Sequence, residues 1–85
     1  MDKKRIMRLR VDAQKIRPSL HVGKEGLNSK VIDELDKQLE KRKIIKVRVL
    51  NSFDEDRKEV AATIAKETRA FVVDVRGSTI VLARD

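Results

Sequence analysis

At Lys43 the spacing of the apolar residues in this chain changes from four to two. Before it, Leu27, Val31, Leu35 and Leu39 step by four, with Ile32 beside them. After it, Ile45, Val47 and Val49 step by two, with Lys46 and Arg48 between them. A four-step repeat puts its residues on one side of an α-helix, and a two-step repeat on one face of a β-strand. A helix that leads directly into a strand calls for a sheet with helices laid on it.

The pattern extends in both directions. Ile6, Leu9, Ala13 and Ile16 form the apolar stripe of a first helix over residues 3–16, with Arg5, Arg8, Arg10, Lys15 and Arg17 around it. Pro18 disfavours helical geometry at Arg17 and ends that helix. A short strand over 19–22 follows. Asn28 or Ser29 caps the second helix, and with Asn28 as the cap, Leu27 and Ile32 stand at the two staple positions. Lys41, Arg42 and Lys43 follow its end, where cations suit the helix dipole. The next strand covers 44–50. Ser52 with Glu55 reads as a capping box for a third helix over 53–68, buried through Val60, Ala61, Ile64 and Ala65. Strands over 70–75 and 79–83 are joined at Arg76-Gly77-Ser78 in a hairpin. Both are apolar at adjacent as well as alternate positions, so they belong inside the sheet or under cover on both faces.

The order is therefore α-β-α-β-α-β-β. Strands separated by helices favour parallel pairing, and a hairpin is antiparallel. The expected fold is a compact single α/β domain over residues 1–85, with a mixed four-stranded sheet packed with helices. No internal repeat, low-complexity segment or linker interrupts it.

The net charge of +7 is unevenly spread. Residues 1–24 hold eight Lys/Arg against two acids, residues 25–40 two against five, and residues 41–50 five against none. Two basic blocks flank an acidic second helix, and nucleic acid is the natural partner of such a pattern. The Lys41-Arg42-Lys43 triplet is a candidate for that contact as well as for the dipole. There is no Trp or Tyr, and the two Phe are Phe53 and Phe71. Phe71 alternates with Val73 and Val75 and reads as core. Base stacking on aromatic platforms is disfavoured, which leaves recognition of phosphates, sugars and helical shape.

Chemistry is expected between Leu20 and Ser29, where a strand passes through Gly23-Lys24-Glu25-Gly26 into a helix. Backbone N–H groups at the helix start, with Lys24, suit a phosphate. The loop is too short for a Walker A motif and lacks the third glycine of a dinucleotide fingerprint. A KH domain uses a Gly-x-x-Gly loop between two helices, whereas here a strand comes first. The plainer reading is a tight turn that needs glycine for geometry. The candidate interface is Gly23, Lys24 and Gly26 on the phosphate backbone, Arg5, Arg8, Arg10, Lys15 and Arg17 along helix 1, and Lys46 and Arg48 on the second strand.

Nothing points to catalysis. His21 is the only histidine, with no Ser or Cys beside it in a nucleophilic arrangement. Asp33, Glu34 and Asp36 read as solvent-facing charge that pairs with the basic loop. The absence of cysteine excludes disulfides and thiolate metal sites. No enzyme activity, metal or cofactor is expected. No run approaches the roughly 18 apolar residues of a membrane helix, and no signal peptide is read at the N-terminus. A cytoplasmic monomer is expected.

Taken together, these residues resemble the CRM (YhbY-like) domain, an RNA-binding module of ribosome maturation and organellar intron splicing. The likeness covers most of the chain. It is carried by Leu9, Arg10 and Ala13; by Val22-Gly23-Lys24-Glu25-Gly26-Leu27; by Val31-Ile32, Glu34-Leu35-Asp36 and Leu39; by Ile45-Lys46-Val47-Arg48; and by Gly77 with Val81-Leu82-Ala83-Arg84. The resemblance implies a helix-first mixed α/β fold akin to the C-terminal domain of bacterial translation initiation factor three. It also implies RNA binding through the glycine loop and nearby basic surface. A stand-alone copy resembles the prokaryotic members, which associate with precursor large ribosomal subunits. Glu25 stands where the family often has a basic or polar residue, and Ala83 where it usually has an aromatic. The expected function is non-catalytic binding of structured ribosomal RNA. The alternatives are a DNA-compacting architectural protein and a protein-interaction adaptor.

Overall fold

A computed structural model of the chain describes residues 2–23, 26–50 and 56–84. Its elements are α1 (Lys3–Ala13), β1 (Leu20–Val22), α2 (Ser29–Arg42), β2 (Ile44–Val49), α3 (Arg57–Thr68), β3 (Phe71–Arg76) and β4 (Thr79–Ala83), in the expected order. The strands form one sheet, ordered β1-β2-β4-β3. β1 runs parallel to β2, and β4 runs antiparallel to both β2 and β3. The last strand of the chain is thus inserted between the second and the third. β4 lies inside the sheet as expected, whereas β3 is an edge strand covered on both faces.

Alternation along the strands divides the core in two. On one face Val22, Ile45, Val47, Val49, Ile80 and Leu82 pack against Leu35 and Leu39 of α2 and Val60, Ala61 and Ile64 of α3. Each fully buried side chain of this size contributes about 1.5–3 kcal/mol of burial, so this layer dominates stability. On the other face a smaller cluster joins Ala13 and Leu9 of α1 to Ile44, Phe71, Val73, Val81 and Ala83. Ala83 lies buried beneath α1, where a small side chain lets the helix approach.

The helix ends show which local rules prevail. Asn28 is the N-cap of α2 and accepts from the Val31 N–H at 3.0 Å, while Leu27 and Ile32 pack on the core as a staple requires. α1 stops at Ala13, three residues before the expected end. The N–H groups of Gln14, Lys15 and Ile16 turn to the carbonyls of Val11, Asp12 and Ala13, a tightening that closes the helix before Pro18 can clash. Lys15 and Arg17 therefore leave helix 1 instead of extending its basic side. α3 starts at Arg57 with Asp56 as its cap, four residues later than expected; the Ser52–Glu55 capping box lies outside the described residues. Asp56 accepts from the Lys58 N–H at 2.8 Å, so a nearer carboxylate performs the capping.

Arg84, just past β4, ties the helical layer together. Its guanidinium bonds the Asp36 carboxylate and backbone carbonyl on α2 and the Thr68 carbonyl at the end of α3. Lys24 of the basic loop, the expected partner of Asp36, lies outside the described residues. Within the described residues Asp36 pairs with Arg84. Among the described residues no helix is long and apolar enough to cross a membrane.

Candidate nucleic-acid interface

α1 covers only part of its side of the sheet. Strand register arranges that side in three rows. Ile44, Ala83 and Phe71 form the first, beneath Leu9 and Ala13. Lys46, Val81 and Asp74 form the second. His21, Arg48, Thr79 and Arg76 form the third, one residue from each of the four strands. His21, Arg48 and Arg76 are exposed and Thr79 is half-buried. With strands about 4.8 Å apart, this row spans roughly 14 Å. It carries two permanent cations, an imidazole and a hydroxyl.

A cavity of about 150 Å³ separates this row from the last turn of α1, lined by Arg10, Gln14, Lys46, Asp74, Arg76 and Thr79 among others. Arg10 is held there by the backbone. β3 bulges between Val72 and Asp74, which frees the Val73 carbonyl, and the Arg10 Nε–H donates to it at 3.0 Å. Asp74 sits 3.6 Å from Arg76, whose side chain is 75% exposed, so water screens the pair and Arg76 is readily lent to another anion.

The glycine turn adjoins the same end of the sheet. Val22 pairs with Val49, the Leu50 N–H donates to the Val22 carbonyl, and Gly23 is the next residue. The Gly26 N–H closes the turn on the Gly23 carbonyl at 2.9 Å. Gly26 has φ +71°, a left-handed conformation in which a side chain is strained. A Cβ on Gly23 would lie 3.3 Å from the Leu50 side chain. Gly26 thus has a geometric cause independent of any ligand, whereas a Cβ on Gly23 asks only a small shift of the exposed Leu50 side chain. Lys24 and Glu25 lie outside the described residues.

The structure brings Gly23, Gly26, Lys46, Arg48 and Arg10 to one region. Arg5 and Arg8 remain exposed on α1. Arg17 borders a different hollow, against the outer flank of α2. His21, Thr79 and Arg76 are additions to the sequence reading. Their only signal is strand register, which joins residues 58 positions apart (21 to 79) and is invisible to local patterns. Among the described residues no three His, Cys, Asp or Glu side chains are grouped to hold a metal ion.

The arrangement is that of a small basic binding module: a sheet closed by helices on one face and left cationic at one end of the other. The model of the CRS1 / YhbY (CRM) domain family matches residues 1–84, and the chain belongs to that family. The Bacillus subtilis protein named "Probable RNA-binding protein YqeI" is 39% identical over 77 residues, covering 91% of this chain and 80% of the relative. The Methanocaldococcus jannaschii protein named "Probable RNA-binding protein MJ0652" is 45% identical over 78 residues, and the match takes in 58% of its length. The solution structure of the hypothetical protein SAV1595 from Staphylococcus aureus superposes with a TM-score of 0.86 at 40% identity, covering 100% of this chain and 88% of that one. The family resemblance and the helix-first mixed α/β fold are both borne out.

Proposed function

We propose that this protein binds RNA without catalysing a reaction. Its target is structured ribosomal RNA of the precursor large ribosomal subunit, met in the cytoplasm by a monomer. One observation carries the reading: the His21–Arg48–Thr79–Arg76 row lies open beside the glycine turn, with Lys46 and Arg10 behind it. The names of the relatives support the same class of partner. Without aromatic platforms, binding proceeds through phosphates, sugars and the shape of a folded RNA. Gly23, Lys24 and Gly26 hold the backbone at the turn, and Arg48 and Arg76 hold it along the sheet.

The test is titration of a folded ribosomal RNA fragment at several salt concentrations, followed by fluorescence anisotropy. Lys24→Glu weakens binding and lowers the slope of log K against log salt by roughly 0.7–0.9 for each phosphate that is no longer neutralised. Arg48→Gln with Arg76→Gln does the same about twice over. Unchanged slopes in folded variants would remove these residues from the interface. Stronger competition by duplex DNA than by RNA would shift the reading to a DNA-binding protein.

A further inference from the structure

We propose that the hollow between the α1–β1 connection and the outer flank of α2 is a second surface for an RNA backbone. With the glycine-turn surface it would let one molecule bridge two backbone segments. The inference rests on the RNA-binding reading above.

The hollow has a volume of about 1000 Å³. Arg17 and Pro18 stand on one wall, and Lys37, Lys41 and Arg42 on the other. The Ser19 hydroxyl bonds Gln38 Oε1 and ties the two walls together. Ser19 precedes β1 and Gly23 follows it, so the two surfaces lie at opposite ends of that strand.

Among the described residues Arg84 pairs with Asp36 and Arg76 with Asp74, whereas Arg17, Lys37, Lys41 and Arg42 form no ion pair. Two acids, Glu34 and Glu40, also line the hollow. Glu34 is engaged by the Gln38 side-chain amide at 3.2 Å. Lys37 and Lys41 are four residues apart, the spacing at which like charges on a helix repel, while Asp33 stands four residues before Lys37 at the spacing that offsets this. The helix dipole accounts for Lys41 and Arg42 in the last turn. It does not reach Lys37, and Arg17 belongs to another segment. Lys43 has a separate role: its backbone is the left-handed C-cap of α2, and its carbonyl accepts the Arg84 N–H at 2.8 Å.

The chemistry favours a phosphodiester chain over a protein. Protein interface cores are rich in aromatic anchors and poor in lysine. This hollow has no aromatic residue and two lysines, and its apolar lining is limited to Ile16, Pro18 and side-chain stems.

The test is protein-dependent energy transfer between two short RNA duplexes, one carrying a donor dye and the other an acceptor. Wild type brings the duplexes together. Lys37→Gln with Lys41→Gln abolishes the transfer and retains anisotropy binding to a single duplex at low salt. Arg48→Gln with Arg76→Gln also abolishes the transfer, from the other surface. On a folded RNA large enough to meet both surfaces, the lysine double variant lowers the salt slope by about 1.4–1.8, the share of two phosphates. Both lysines are exposed, and the repulsion removed is set against the lost dipole and Asp33 contacts, so a thermal melt should show the variant close to wild type in Tm. A wild type that binds one duplex without bridging overturns the inference and leaves the RNA-binding reading standing. So does a lysine double variant that bridges as wild type does. A wild type that binds no RNA overturns both.

Discussion

The two faces of the sheet are cut from alternate residues of the same four strands, yet they end in different states. On the α2/α3 face Val22, Val47, Val49, Ile80 and Leu82 are fully buried, and two helices cover the sheet from β1 to β3. On the α1 face one helix of 11 residues covers β3, β4 and the start of β2 and stops short of the other end. There the outward residues are His21, Arg48, Thr79 and Arg76. One face is therefore organised for stability, and the other leaves backbone-held charge in water. The difference comes from helix length and placement more than from the strands. Had α1 continued to Ile16 as a helix, its next turn would have advanced toward the charged rows.

The closed face is where the largest effects belong. Leu82→Ala should lower stability by about 2–5 kcal/mol, because Leu82 is fully buried in the middle strand and the cavity cannot be refilled by a neighbouring loop. Thermal unfolding followed by circular dichroism reads this as a fall of at least about 8 °C in Tm. A loss under about 1 kcal/mol would mean that this face is loosely packed and the contrast is false. Arg84→Ala comes next, at about 2 kcal/mol. It removes charge-assisted bonds from a side chain only 19% exposed and leaves the Thr68 carbonyl without that donor. Arg84→Lys should recover only part of this, since one ammonium cannot reproduce the planar fork that spans Asp36 and Thr68.

The closed face was largely legible from the chain. Leu35, Leu39, Ile45, Val47, Val49, Val60, Ala61 and Ile64 follow from periodicity, and Asn28 with Leu27 and Ile32 follows from capping chemistry. These rest on residues within one or two turns of one another. The open face was legible only in pieces. Lys46 and Arg48 declare themselves by alternation, but their neighbours depend on β4 entering between β2 and β3, a choice made by long-range packing. The bulge that presents the Val73 carbonyl to Arg10 leaves no mark in a run of apolar residues. Arg76 reads as a turn residue until register sets it beside Thr79. His21 reads as a lone histidine until register sets it beside Arg48. The Asp36–Arg84 pair spans 48 residues and is equally hidden.

α1 itself tests the boundary between the faces. Leu9→Ala should cost about 1 kcal/mol, roughly half the burial of a fully enclosed leucine, since Leu9 is half-buried at the edge of the smaller cluster. Chemical denaturation with an unchanged m-value would show the loss as a shift in midpoint alone. If Leu9→Ala instead cost as much as Leu82→Ala, the α1 layer would be as essential to the fold as the α2/α3 layer. The asymmetry between the faces would then be one of charge only.

The smallest effect on stability is expected at the open row, and its smallness is informative. Arg48 and Arg76 are exposed, and the Asp74–Arg76 pair lies in water where such pairs contribute about 0–1 kcal/mol. Replacing both arginines by glutamine keeps most of each aliphatic stem and removes the charge. The double variant should therefore unfold within about 0.5 kcal/mol of wild type. Any drop in RNA affinity then belongs to the interface itself. A stability loss above about 1 kcal/mol would instead make the row a part of the fold that happens to be charged. A neutral change in both stability and RNA affinity would separate the open end of the sheet from the function altogether and leave the glycine turn and α1 to carry it.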